Sequence, residues 1–350
     1  MGHSALMSGA VGEVLKLAEF PRENVWPNPP RYTYEGDWLF CCFDDPAIRA
    51  ARIGFGQGGF RWEDYGLPAS ADLRVPVAYR VELITSAGVE ACLFSGKFER
   101  HPVELSPSAR RFRHEGKELF RLEGWPQMHW RFQSPDGSLG ADLEVVPRRV
   151  VVWPDCVMPH NTFSMCIGAC DVNGSVSTAQ GAVQVAGTAF YDHPRVLVED
   201  NDVAPFGWYL YAPLRFLDGS MLAAYHMEDG RGAIDREYSA GFLTRPDGSG
   251  RWLASARFRN LRFGRDGNPS GWDAEVLGPG VEIHYAVRIE EIPLAKLWSS
   301  EPQEGGKYLA FPLLMAAEGE SVIDGMRSGL EGGTGIAEFL VRQDYQPVYP

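Results

Sequence analysis

The sequence is short of the features that mark several large classes of protein. No apolar run reaches the ~18 residues of a membrane-spanning helix, so membrane insertion is not expected. Basic residues are in deficit, 33 Lys and Arg against 46 Asp and Glu, for a net charge of −13. Nucleic acid demands a basic footprint to meet its phosphates, and anionic lipid demands a Lys/Arg cluster; this chain offers neither. Met1 to Lys16 has no basic segment leading into an apolar one, so a cytoplasmic location is expected. The six cysteines (Cys41, Cys42, Cys92, Cys156, Cys166, Cys170) form no CxxC pair and read as buried free thiols. Cys166 and Cys170 would face alike on a strand, but nothing supplies two further zinc ligands. The eight histidines show no HxH, HxxxH or HExxH spacing, and there is no GxSxG elbow. Neither a metal nor a cofactor is expected.

Aromatic and turn-forming residues are abundant: 10 Trp, 13 Tyr and 19 Phe, with 39 Gly and 25 Pro. Aromatic side chains fit pleated surfaces, while Gly and Pro punctuate short strands. Pro135-Asp136-Gly137-Ser138, Asn173-Gly174, Leu217-Asp218-Gly219, Pro246-Asp247-Gly248 and Arg265-Asp266-Gly267 each separate apolar-rich runs, the pattern of hairpin turns. Between them, stretches such as Ala78 to Ile84, His129 to Gln133, Val150 to Trp153, Met221 to Met227 and Val281 to Ile292 read as strands. Helical periodicity is confined to three short candidates, Gly12 to Ala18, Pro46 to Ala51 and Gly319 to Leu330. The expected class is therefore all-β with few short helices. At about 150 residues per domain, 350 residues suggest two antiparallel barrels or sandwiches in tandem. The expected division is a flexible segment over 1–25, a first domain over 26–185 and a second over 186–350.

Gly54-Phe55-Gly56-Gln57-Gly58-Gly59 satisfies GxGxxG. A dinucleotide site also needs a following helix and an acidic residue about 20 positions on. Here Phe60 to Gly66 has no helical face, so the run reads as a glycine-rich connection. The densest polar-aromatic stretch is Gly187 to Arg195, followed by Gly207-Trp208-Tyr209-Leu210-Tyr211. On a strand, Phe190 and Asp192 take one face, and Tyr191 and His193 the other. Asp192 and His193 face one cavity only if the strand ends or bulges, which Pro194 permits; the alternative is a turn that Asp192 caps.

This stretch resembles the "G-x-G-Y-x-D-H" strand of the carotenoid 1,2-hydratase (hydroxyneurosporene synthase) and AttH-like superfamily. Lipocalin-like Diels–Alderases and kievitone hydratase are relatives of that superfamily. The Trp208–Tyr211 strand with its Asp218-Gly219 hairpin, Met158-Pro159-His160-Asn161, and Gly333-Thr334-Gly335-Ile336-Ala337-Glu338 are similar to further family segments. The resemblance spans roughly residues 155–345 and departs from the pattern at Ala189-Phe190 and Pro194-Arg195-Val196. It implies two tandem lipocalin-like barrels and an enzyme of secondary metabolism, a lyase or isomerase acting on an isoprenoid or polyketide-like lipophile. Hydration, dehydration, isomerisation or cyclisation would proceed in an apolar pocket. Burial raises a carboxyl pKa and makes it an acid near neutral pH, and aromatic faces stabilise the resulting carbocation. Asp192 is the expected acid, with His193 or His226 as relay. Trp38, Trp130, Tyr191, Trp208, Tyr209, Tyr211 and Tyr225 are expected to contact substrate, with His160 and Glu338 added by the resemblance.

Two rival classes stay open. A closed barrel is also a natural container, so the chain reads alternatively as a carrier of a hydrophobic small molecule. A carbohydrate enzyme would draw its paired carboxylates from Glu199, Asp200 and Asp202. The expected partner is an apolar small molecule, and the sequence leaves a homo-oligomer open.

Overall fold

The structure is a computed structural model that describes residues 13–15, 33–58, 74–99, 103–106, 109–158, 161–198, 208–228, 237–265, 268–291, 296–298 and 308–342. Among these residues there are twenty-two strands and no helix. Twelve strands build the first sheet: β1 (Glu13–Leu15), β2 (Thr33–Phe43), β3 (Ile48–Gly58), β4 (Arg74–Thr85), β5 (Gly88–Glu99), β6 (Val103–Ser106), β7 (Ala109–His114), β8 (Lys117–Glu123), β9 (Met128–Gln133), β10 (Gly140–Met158), β11 (Asn161–Thr178) and β12 (Gly181–Val198). Ten build the second: β13 (Trp208–Arg215), β14 (Met221–Glu228), β15 (Glu237–Thr244), β16 (Gly250–Leu253), β17 (Ser255–Phe263), β18 (Pro269–Gly278), β19 (Val281–Glu291), β20 (Lys296–Trp298), β21 (Tyr308–Ile323) and β22 (Met326–Arg342). By packing, the chain divides into two units, Leu15–Val150 with Asn161–Asn201, and Met1–Val14 with Val151–His160 and Asp202–Pro350.

The first sheet runs β5-β4-β3-β2-β12-β11-β10-β9-β8-β7-β6, with β12 returning to lie beside β2. It curls until its two wings touch through their rings. Phe55 on β3 stacks on Phe120 of β8 at 4.7 Å, and Tyr79 on β4 meets Phe132 of β9 at 5.3 Å. The enclosed core alternates along each strand, as Leu39, Cys41 and Phe43 do on β2. The second sheet, β16-β15-β14-β13-β22-β21-β19-β18-β17, nearly closes on itself. A Cβ at Gly241 of β15 would lie 2.6 Å from Val276 of β18, across the seam. Both are antiparallel barrels of the lipocalin-like kind, which is the all-β, two-barrel class the sequence leads one to expect.

The turn chemistry is local and repeated. Asp136, Asp218 and Asp247 each accept the backbone N–H of the serine two residues on, at 3.0, 2.8 and 2.8 Å, pinning three Asp-Gly-Ser hairpins. Asn173-Gly174 is no turn but lies inside β11, and Asp266-Gly267 lies outside the described residues. Among the described residues none of the helix candidates is helical. Gly12 to Ala18 contributes only β1 to the described residues, and Pro46 to Ala51 leads into β3. Gly319 to Leu330 is the β21–β22 hairpin, because Asp324-Gly325 takes the paired positive φ (50° and 82°) of a type I′ turn. The glycine-rich run is likewise strand up to Gly58. At Gly54 the missing Cβ is what makes room for a ring: it would sit 1.9 Å from Cε3 of Trp38.

Candidate functional site

Three strands of the first barrel bring charge into its interior. On β2 the period-two face that carries Leu39, Cys41 and Phe43 begins with Asp37. On β12 the interior face carries Ala189, Tyr191 and His193; on β7 it carries Arg110 and Phe112. Trp38 lies opposite Asp192 and Glu35 opposite Arg195, so Asp37 falls opposite His193. Asp37 Oδ1 accepts from the Tyr191 hydroxyl at 2.6 Å and pairs with His193 Nδ1 at 2.9 Å. Its Oδ2 accepts from Arg110 Nε at 3.0 Å, across the interior from β7. All four groups are buried.

Burial pushes the Asp37 pKa up, but Arg110, His193 and Tyr191 outweigh it and hold the carboxyl well below the usual carboxylate range. Asp37 is therefore ionised and can only accept hydrogen bonds. Nδ1 of His193 must then carry the proton, which makes Nε2 the nitrogen able to exchange one. Trp130 stands at the same level: Arg110, Leu122 and Trp130 are successive cross-strand neighbours on β7, β8 and β9. Its indole meets Tyr191 edge-on at 5.9 Å. Beyond this polar end the interior is hydrocarbon and aromatic ring.

The residues singled out from the sequence fall into four places. Tyr191, His193 and Trp130 belong to the interior cluster just described. Asp192 does not join them. The β12 register with both neighbours runs without a shift through Pro194, so strand alternation turns Asp192 to the other face, and no bulge brings it beside His193. There it neighbours Trp38, whose indole has the guanidinium of Arg80 at 5.5 Å and that of Arg52 at 5.7 Å. Arg52 pairs with Glu82 at 3.0 Å, and this whole face is buried. Trp208 and His226 meet inside the second barrel with ring centroids 4.4 Å apart. Tyr209, Tyr211 and Tyr225 lie on the opposite side of that wall, where Tyr209 donates to Glu338 at 2.5 Å and stacks on Tyr225 at 5.7 Å. His160, Glu199, Asp200 and Asp202 lie outside the described residues. Among the described residues no cluster of three or more metal-ligating side chains occurs, and no helix is long and apolar enough to cross a membrane.

The searched family models contain no match to this chain, and no curated protein matches it by sequence. Solved structures do match. The AttH candidate NE1406 of Nitrosomonas europaea superposes with a TM-score of 0.58 at 12% identity, over 93% of this chain and 96% of the other. Kievitone hydratase of Nectria haematococca superposes with a TM-score of 0.56 at 9% identity, over 96% and 97%. This chain shares their fold. At such identities the likeness carries architecture and no residue roles, so the chemistry rests on the side chains above.

The sequence reading missed Asp37 and Arg110. A signal existed in β2: in Asp37-Trp38-Leu39-Phe40-Cys41-Cys42-Phe43 the only charge begins the core-facing alternation. Its partner His193 is 156 positions away, and spacing cannot reveal a pair that distant.

Proposed function

We propose that this protein is an enzyme that moves a proton on a lipophilic small molecule, in the class of hydration, dehydration or double-bond isomerisation. His193 is the proton carrier and Asp37 orients it. The observation that carries this reading is the ionised Asp37 holding His193 Nδ1 at 2.9 Å beside an apolar interior. A carrier needs only the apolar container; a buried carboxylate–imidazole pair is costly to bury and supplies a poised base or acid. Arg110 keeps Asp37 charged, and Tyr191 fixes the carboxylate's orientation. That a hydratase is built on the same fold supports the same class of chemistry. The test is proton exchange. A panel of isoprenoid and polyketide-like lipophiles is incubated with the protein in heavy water and read by mass spectrometry. Wild type is expected to introduce deuterium into its substrate, and a folded His193→Gln variant is expected to lose this by about 100-fold or more. Undiminished exchange by His193→Gln removes the proposal.

One observation favours a second placement. Asp192 is a buried carboxyl cross-strand from Trp38 on the opposite face of the same strand, the acid that the sequence leads one to expect. Asp192→Asn separates the two: it abolishes turnover under this placement and leaves it near wild type under the first.

A further inference from the structure

We infer that the substrate bound in the first barrel carries an acceptor oxygen, a ketone or enone carbonyl above all, and that the Trp130 indole N–H receives it. This rests on the His193-centred reading and names its substrate class. Trp130 is 1% exposed, and its Nε1 has no acceptor among the described residues. A buried N–H without a partner is costly, and such groups are scarce in native cores. This one stands in the ring of residues that also holds Tyr191, Arg110 and, through Asp37, His193. A hydrocarbon would leave that donor unanswered. An oxygenated lipophile answers it while its carbon skeleton lies against Phe55, Phe120 and Phe132.

The chemistry then balances without any further reactant. In a β-hydroxy ketone, neutral His193 Nε2 takes the proton from the carbon between the two oxygen-bearing carbons. The C–H electron pair forms the enolate C=C, and the charge gathers on the oxygen that Trp130 faces. Collapse of the enolate expels the β-hydroxyl, which takes the proton from His193 and leaves as water, giving the enone. Reversal adds water to the enone. A donor aimed at the developing oxyanion stabilises the transition state more than the ground state.

The experiment uses acetylnaphthalene and ethylnaphthalene, which differ by a carbonyl group in place of a methylene. Titrated into wild type, acetylnaphthalene is expected to shift the Trp130 indole N–H resonance downfield, and ethylnaphthalene is expected to move it little. Trp130→Phe keeps the ring and removes the N–H; it is expected to weaken acetylnaphthalene about five- to tenfold and ethylnaphthalene less than about twofold. Equal loss for both ligands, or no downfield shift in wild type, overturns the inference and leaves the His193 proposal standing. Binding of neither ligand overturns both. Normal discrimination at Trp130 combined with full proton exchange by His193→Gln overturns only the proposed function. The resonance is read in unaltered protein, so the inference stays testable even if Trp130→Phe fails to fold.

Discussion

Replacing Asp37 with Asn tests the electrostatics of the interior cluster most directly. The carboxylate offers acceptors on both sides, Oδ1 to Tyr191 and His193 and Oδ2 to Arg110. An amide offers one acceptor and one donor. If its oxygen keeps Tyr191 and His193, its NH2 meets the Arg110 guanidinium, donor against donor; if it flips, the other two contacts are lost. Each hydrogen bond to a charged group contributes about 1.5–3 kcal/mol, and Arg110, with a side chain only 9% exposed, loses the charge of Asp37. The combined cost is about 3–5 kcal/mol, the range for breaking a buried pair from one side, and lowers the melting temperature by about 10 °C. The sign of the pH dependence follows from the lowered pKa. Asp37 stabilises the fold fully above the unfolded carboxylate value, and that contribution is lost as pH falls through the lower folded value. The gap between wild type and Asp37→Asn is therefore full at neutral pH and narrows only below about pH 4. Thermal and urea unfolding, followed by near-ultraviolet circular dichroism, measure it. Adding Arg110→Met should recover about 2 kcal/mol by removing the guanidinium that the amide NH2 would face. A loss below about 1 kcal/mol, or additivity of the two changes within about 0.5 kcal/mol, would refute the reasoning.

Further outcomes are equally specific. Tyr285 is buried in the second barrel with a hydroxyl that has no partner among the described residues, and burial raises its pKa; Tyr285→Phe should be neutral or stabilising by up to about 1 kcal/mol in thermal unfolding. Gly54→Ala drives a methyl into the Trp38 ring and should cost about 1–3 kcal/mol, with most of that cost absent in a Trp38→Leu background. Burial raises the thiol pKa values of Cys41 and Cys170, so peptide mapping after alkylation at pH 8 should find both unmodified until the protein is unfolded.

The parts of the fold legible in the sequence were those that short segments decide. Asp-Gly-Ser turns at 136, 218 and 247 announce themselves because the aspartate bonds a backbone N–H two residues away. Alternation over Ala78 to Ile84 or Val281 to Ile292 needs only one apolar face. Gly319 to Leu330 misled because a hairpin with mixed polar and small residues can imitate helical spacing, and its Asp324-Gly325 turn is the stronger signal. The site was legible by halves. Tyr191, His193 and Trp130 stood out as polar or aromatic residues on predicted strands, whereas Asp37 acquires meaning only when β12 closes beside β2. Which side of β12 each residue takes depended on whether Pro194 shifts the register; it does not, because both flanking strands keep the same pairing offset on either side of it.

That unshifted register makes the residue count of this segment a vulnerable property. Deleting one residue from β12 between Gly187 and Phe190 would, if the outer end stayed anchored, move the remainder by one step against β2 and β11 and exchange inside for outside. A substitution in this stretch acts at its own position, as at Gly187, where a Cβ would meet the Cys42 carbonyl oxygen at 2.1 Å. A change in its length would invert the surroundings of both the imidazole and the neighbouring carboxyl at once.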